Sequence, residues 1–394
     1  MTDRIRVGNG WTGDAVQPVT YRADAPGKLV ICGEYAVLTP EGTGLVMAVD
    51  RPTSATVRPS SGPGIVLDLA WGAGEASVEG DRVRLGRSFS PTAVRAARFV
   101  VSALEYSLAA VRASGTPVHP FQLHVSAAQG GSSRTEGRTK AGWGSSAAVV
   151  VAVSSAVLAF HTRLGAHTSG VGLGADLGGA EQVFRVALAA HRAAQDGLGS
   201  GIDVAASVFG GLVQFQAGTP LPRVVPLTWP AGVGIVVAHT GQVSNTRSRL
   251  EVLERRRAED PAWFLDFVHR SAHATRTVVQ ALREQHLTRL LGALQQHDRL
   301  LHSFGAWLEL PMDTPSMAAF RKLENRFGVL KPSGAGGGDC ALLFLRSPHL
   351  RVDAEKALRD CGLEPLPVRL FAPGVVRGTE EARLQVAPFR KETR

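Results

Sequence analysis

The residues best suited to chemistry lie in glycine-rich segments, and three of these segments carry a lysine inside or beside them. Lysine occurs only at 28, 140, 322, 331, 356 and 391, whereas arginine is the common cation of this chain. Where arginine is the default, a lysine at such a place suggests a task for a compact point charge. The strongest segment runs Lys140-Ala-Gly-Trp-Gly-Ser-Ser-Ala-Ala148. A glycine-rich turn that opens directly into an apolar helix is an anion site: unpaired N–H groups point out of the helix end and its dipole favours negative charge. Gly142 and Gly144 let the backbone come close to a phosphate. Ser145 and Ser146 add hydroxyls that either cap the helix or ligate a divalent cation such as Mg²⁺. The GxxxxGK[ST] spacing of a Walker loop is absent. Gly142-x-Gly144-x-x-Ala147 fits a loose dinucleotide fingerprint, but no Asp or Glu occurs between Glu136 and Asp176 to hold a ribose.

The second segment, Lys331-Pro-Ser-Gly-Ala-Gly-Gly-Gly-Asp-Cys340, holds four glycines in positions 334–338. That costs chain entropy beyond what a turn needs, which points to backbone lying against a ligand. The third is Ala25-Pro-Gly-Lys-Leu-Val-Ile-Cys-Gly-Glu-Tyr-Ala36, where Lys28 taken alone reads as an ordinary strand residue. In Gly197-Leu-Gly-Ser-Gly-Ile-Asp203, Asp203 taken alone reads as a helix cap.

Several elements must position these groups. Short strands are expected at Lys28–Cys32, Leu45–Val49 and Ser54–Arg58, and hairpins over Ile65–Leu85. A helix is expected over Thr92–Ala113, a strand at Phe121–Ser126 and a basic, Gly-rich loop at Gln129–Lys140. Ser145–Leu164 reads as a buried helix and Ala175–Ala194 as a second. Strands are expected at Leu212–Gln216 and Gly234–Ala238. Asn245–Gly305 is almost wholly helical in pattern. A helix at Pro315–Phe327, a strand at Cys340–Leu345, a helix at Asp353–Cys361 and a strand at Leu366–Phe371 close the chain. The proline-rich stretch at 218–230 marks a boundary between units 1–222 and 223–394.

The bulk properties agree with a globular enzyme. The chain has 394 residues, 44% apolar and 20% charged, enough to bury a large core without disulfides. Three cysteines without a CxxC pair fit neither a disulfide framework nor a zinc site. The N-terminal stretch has no apolar signal core, and apolar runs such as Ala147–Phe160 contain serines and read as too short to span a bilayer. A cytoplasmic location is expected. The net charge of +9 comes from scattered arginines, without a recognition motif or basic tract for nucleic acid.

Taken together, the segments resemble the GHMP kinases (galacto-, homoserine, mevalonate and phosphomevalonate kinases). Ala25–Ala36 resembles the family's N-terminal strand motif, Thr139–Ala148 its phosphate loop and Ser333–Cys340 its C-terminal glycine motif, in the family's order. The resemblance implies an α+β, two-domain fold: an N-terminal domain like ribosomal protein S5 and a ferredoxin-like C-terminal domain with inserted helices. Asp339 in the last motif, the segment Ala190–Ala206 and Gly241-Gln-Val-Ser-Asn-Thr246 resemble the phosphomevalonate kinases in particular. The chain departs from the pattern at Trp143, which stands for the usual Leu, and at the missing leading Pro. His191 and Arg192 stand near the place of the glutamate that binds Mg²⁺ in mevalonate kinases.

The resemblance implies ATP and Mg²⁺ as cofactors and a small phosphorylated acceptor, phosphomevalonate. Lys140, Gly142, Trp143, Gly144, Ser145, Ser146 and Ala147 would hold ATP, with Ser146 on the metal. Lys28 and Asp203 would face the transferring group. His191, Arg192, Ser200, Gly201, Ser244, Thr246, Ser333, Gly334, Ala335 and Gly336 would line the acceptor site, and Lys140 is also a candidate clamp on the acceptor's phosphate. A phosphate acceptor is already largely ionised, its second pKa being about 6. Cations then matter more than a base, and Asp203 is expected to position Lys28 or a phosphate-bound species. Mevalonate kinase, another GHMP kinase, and a catalytically idle ATP or metabolite sensor are the alternatives.

Overall fold

The structure, a computed structural model, describes residues 19–127, 142–169, 179–197, 199–218, 220–379 and 382–384. The first half opens with two long strands, β1 (Tyr21–Cys32) and β2 (Thr43–Pro59). The three short strands expected here are parts of these two. A β-bulge between Ala25 and Gly27 carries β1 past Pro26, which has no N–H for a ladder. Strands β3 (Ile65–Leu69), β4 (Gly72–Glu79) and β5 (Arg82–Leu85) form the expected hairpins. The next helical stretch divides at Ala97 into α1 (Pro91–Ala96), capped by Ser90, and α2 (Arg98–Ala113). After β6 (Phe121–Ala127) come α3 (Ser145–Ser169), α4 (Ala180–Ala193), α5 (Ile202–Phe209), β7 (Leu212–Gln216) and β8 (Arg223–Leu227). The prolines around 220–230 suggest a linker, yet β8 pairs with β7 as an outer strand, the position in a sheet that tolerates Pro226.

The second half begins with β9 (Ile235–His239) and three helices, α6 (Thr246–Glu259), α7 (Pro261–Arg283) and α8 (Leu287–Leu308). Asn245 caps α6, and Asp260 with Pro261 starts α7. Then follow α9 (Pro315–Arg321), α10 (Glu324–Phe327), β10 (Gly328–Pro332), β11 (Cys340–Leu345), α11 (Arg351–Asp360), β12 (Glu364–Pro365), β13 (Val376–Thr379) and β14 (Ala382–Leu384). The strand expected at Leu366–Phe371 is not one. It is held by a bridge between Leu370 and Val49 and by single backbone bonds, Leu366 N–H to Val237 O and Asp50 N–H to Arg369 O, without forming a strand, and β13 and β14 lie further on.

Among the described residues the first sheet runs β14-β13-β1-β2-β6-β3-β4-β5, with β7 on β2 and β8 on β7; the second runs β10-β11-β9-β12. Helices α2 to α5 cover one face of the first sheet. Helix α3 is almost wholly buried from Ala147 to Phe160, as a core helix is. Its stretch Ser145–Thr162 spans 18 residues at a mean hydropathy of 1.6, so by length and composition it could cross a membrane, contrary to the sequence reading. It is 72% buried, against α2, α4, β1 and β2, so this apolar surface serves the interior. The other face of β1 carries Leu29 and Ile31 into a second core shared with β9, β11, α7 and α8. Strand β1 is therefore buried on both faces and lies between the two halves, while Val30, and with it Lys28, turns to the α3 side.

Candidate active site

Lys28 meets the glycine-rich turn before α3 through both backbone and side chain. Its N–H donates to Trp143 O at 2.9 Å and its Nζ to Gly142 O at 3.3 Å. Gly142 and Gly144 have φ of 67° and 70°, the left-handed region that favours glycine. A Cβ on Gly144 would lie 2.8 Å from Lys28 Cγ and Cε, and one on Gly142 would lie 2.8 Å from the Cβ of Asp339. The loop thus fits between the lysine stem and the C-terminal glycine motif, with no space for side chains. The Trp143 ring packs into the second core and lies under Arg51, whose guanidinium carbon is 5.7 Å from the ring centroid. Lys140, Arg134 and Arg138 lie outside the described residues.

Helix α3 starts at Ser145, and its first internal bonds run from the N–H groups of Ala147 and Ala148 to Gly144 O. The amides before them point out of the helix end. Ser145 is exposed and Ser146 half-buried. Ser146 Oγ is 3.2 Å from His191 Nε2, a ring nitrogen that also lies 3.1 Å from Gln195 Nε2 and 3.7 Å from Asp203 Oδ2. Helix α5, which carries Asp203, docks on β1 through Ser207, whose hydroxyl donates to Pro26 O at 2.9 Å. Asp203 lies one helical turn before Ser207 and shares its face. Gly201 precedes α5 at φ 90°. Arg192 donates to Ser200 O at 3.2 Å, and Ser200 Oγ accepts from Ile202 N–H. The expectation that His191 lines the acceptor site needs correction: its side chain is 1% exposed and faces Ser146 from below.

The C-terminal glycine motif closes the other side. Asp339 has φ 57°; its N–H donates to Gln242 O and its carboxylate accepts from Ser244 N–H at 3.3 Å. Ser244 Oγ donates to Gly336 O at 2.7 Å, and Ser333 Oγ to Val30 O at 3.0 Å, so two of the four hydroxyls expected to meet the acceptor are engaged in holding this loop. Gly334 and Gly336 have φ of 89° and 77°; Ala335 O accepts from the Tyr35 hydroxyl at 2.6 Å. Thr246 begins α6 and is exposed. Beneath the loop, the nine-tenths buried Arg249 donates to Pro311 O and leaves no room for a side chain at Gly337.

Lys331 serves a different purpose from the one its place beside the motif suggests. It is fully buried and pairs with Glu34 at 2.5 Å, joining β10 to the end of β1. Burial pushes the Glu34 carboxyl up, against the pull of Lys331. His297 lies 3.7 Å from Glu34 and accepts from Gly33 N–H at 3.0 Å; burial and the Lys331 charge hold it neutral. Sequence reasoning assigned no role to Glu34, Gln195, Arg249 or Asp339. Asp339 alone had a signal, as an acid inside a glycine run. Two open clefts of about 330 and 350 Å³ lie at β8 and α7, and neither is lined by a residue of these loops.

Comparison with known proteins agrees with this geometry. Residues 98–211 match the N-terminal domain of GHMP kinases. The chain is 30% identical over 382 residues to a phosphomevalonate kinase of Streptomyces sp. strain CL190, covering 89% of this chain and 97% of the relative. The chain belongs to the GHMP kinases. This GHMP kinase is also 30% identical to a mevalonate kinase of Aeropyrum pernix, over 86% of its own length and 93% of the relative's. Its fold matches that of a Streptococcus pneumoniae phosphomevalonate kinase solved with phosphomevalonate and AMPPNP, at a TM-score of 0.68 and 18% identity, over 89% and 99% of the two chains. The two-domain α+β fold expected from the motifs is the fold observed, and the family makes the chain a phosphotransferase.

Proposed function

We propose that this kinase transfers the γ-phosphoryl group of ATP to the phosphate of 5-phosphomevalonate, giving 5-diphosphomevalonate in the cytoplasmic mevalonate route to isoprenoids. The observation that carries this reading is the junction of Lys28 with the Gly142–Ser146 loop, where a cation from β1 meets the N-terminus of α3. The site lies between β1 with the start of α3 on one side and the glycine motif before β11 on the other. The similarity to the Streptomyces phosphomevalonate kinase supports the acceptor.

The amides of Gly142–Ala147 receive the ATP phosphates at the helix end. The residues fit a magnesium ion of the usual kind, held by few protein oxygens and the substrate's own phosphates: Ser146 Oγ stands at the helix end and Asp203 Oδ2 beside the same imidazole nitrogen. When bound, Mg²⁺ neutralises charge on the β- and γ-phosphates. Lys28 stabilises the transferring group while the bond from γ-phosphorus to its bridging oxygen breaks and one to the acceptor's phosphate oxygen forms. That oxygen is already ionised, so Asp203 orients Lys28 or a phosphate-bound species and takes no proton. The backbone of Gly334–Gly336 and the 244–246 turn face the acceptor.

The test is ADP release with each acceptor in turn. A kcat/KM for phosphomevalonate at least about 100-fold above that for mevalonate, some 2.7 kcal/mol in the transition state, is expected. The reverse preference makes the chain a mevalonate kinase, a reading that the Aeropyrum relative supports. ATP binding without ADP release on either acceptor makes it a sensor.

A further inference from the structure

His191 is almost wholly buried at the site, and nothing in the reaction as proposed uses it. Its side chain is 1% exposed, stacked on Phe99 with ring centroids 5.5 Å apart. Its Nδ1 is buried and has no hydrogen-bond partner among the described residues. All its polar contacts are made through Nε2, toward Ser146 Oγ, Gln195 Nε2 and Asp203 Oδ2. A buried ring with one nitrogen unsatisfied is costly to keep, so its retention needs a return elsewhere. Three elements meet at that one nitrogen: the start of α3, the end of α4 and the start of α5.

We propose that His191 is a positioning residue that sets the Ser146 hydroxyl and the Asp203 carboxylate for the metal-bound nucleotide. A serine oxygen ligates a cation through a lone pair, which must be turned outward. A partner on the inner side of that oxygen fixes its rotamer, and His191 Nε2 lies there. The same nitrogen flanks Asp203, so one ring relates the metal oxygen to the carboxylate at the transferring group. Such outer-shell partners orient ligands and typically weigh about 10- to 100-fold in affinity or activity. The inference rests on the proposed role of Ser146.

The test contrasts His191→Asn with His191→Gln. A glutamine amide reaches the place of Nε2, whereas an asparagine amide reaches only that of Nδ1; both are polar and no larger than the ring. His191→Asn is expected to lower kcat about 100-fold while the acceptor KM stays within about threefold, as for a contact made in the transition state. By calorimetry it should also abolish the Mg²⁺-dependent gain in affinity for a non-hydrolysable ATP analogue. His191→Gln should retain both within about fivefold. In a Ser146→Ala background, His191→Asn should cost at least about tenfold less than it costs alone, because the part exerted through Ser146 is already lost. Asn and Gln variants that behave alike, losses that multiply in the double variant, or a raised acceptor KM at unchanged kcat overturn the proposal. If Ser146→Ala keeps the full Mg²⁺ effect, the reading of Ser146 fails and takes the inference with it. If Ser146→Ala loses the effect and His191→Asn does not, the inference alone fails.

Discussion

At the scale of residues, Lys28 and Gly144 form one device: the lysine stem lies where a Gly144 side chain would be, and its charged end reaches Gly142 O. Lys28→Met keeps the stem and removes the charge. Steady-state assays should show kcat down by at least about 100-fold, or 2.7 kcal/mol, with the loop still able to bind the ATP analogue. Gly144→Ala acts from the other side, placing a Cβ 2.8 Å from the lysine at a φ of 70°. Strain at such a position costs about 1–2 kcal/mol, and a lowered Tm with loss of turnover is expected. Both lysine contacts reach across 114 positions or more, so Lys28 is singled out in the sequence only by its place in a motif that resembles the family's, and its junction with the loop is seen only in the fold. Lys331 misleads because a buried ion pair and a ligand-facing lysine look alike when the partner, Glu34, is 297 positions away.

At the scale of elements, α8 and α9 are joined by charges. Arg321 bonds the carboxylates of Asp298 and Asp313, and His302 Nε2 lies 3.2 Å from Asp313. Burial works against the His302 imidazolium, but the bond to Asp313 and the charge of Asp298 outweigh it and raise its pKa. The folded state thus holds this proton more tightly than the unfolded one, whose histidine titrates near 6.5. The stabilisation is complete below that pH and disappears as pH rises through the folded value. Thermal unfolding of the parent and His302→Gln should therefore differ most below about pH 6 and converge in mild alkali; a constant difference would refute the linkage. Asp313 has the opposite sign: burial opposes its ionisation, but His302 and Arg321 hold its carboxyl down to about 2. Its contribution is present above 3.8 and lost as pH falls through about 2.

At the scale of the whole molecule, the last described strands return to β1. β13 pairs with β1, Tyr21 opposite Thr379 and Asp24 opposite Val376. On the way Gly374 passes so close to Gly210 that a Cβ on Gly210 would lie 1.9 Å from Gly374 N. A chain ending at Phe371 would leave the Tyr21–Asp24 part of β1, the strand that carries Lys28, with an open edge on the side away from β2. Lower Tm and aggregation by light scattering are expected, since an open edge recruits other strands. Soluble, fully active protein would show that the return is dispensable.

The sequence by itself determined what depends on neighbours along the chain: the glycine-rich turn that opens α3, the two other glycine motifs, and helices read from apolar spacing. These are legible because glycine's freedom and a helix end's unpaired amides are local properties. Long-range pairing was not legible. The merging of short strands into β1 and β2, the outer strand β8 and the closing β13 and β14 depend on which partner lies alongside. Only the tertiary structure brought His191 beneath Ser146 from 45 positions away and engaged Ser333 with Val30. A side chain's partners follow from packing in three dimensions, and the spacing of residue types along a chain does not encode them.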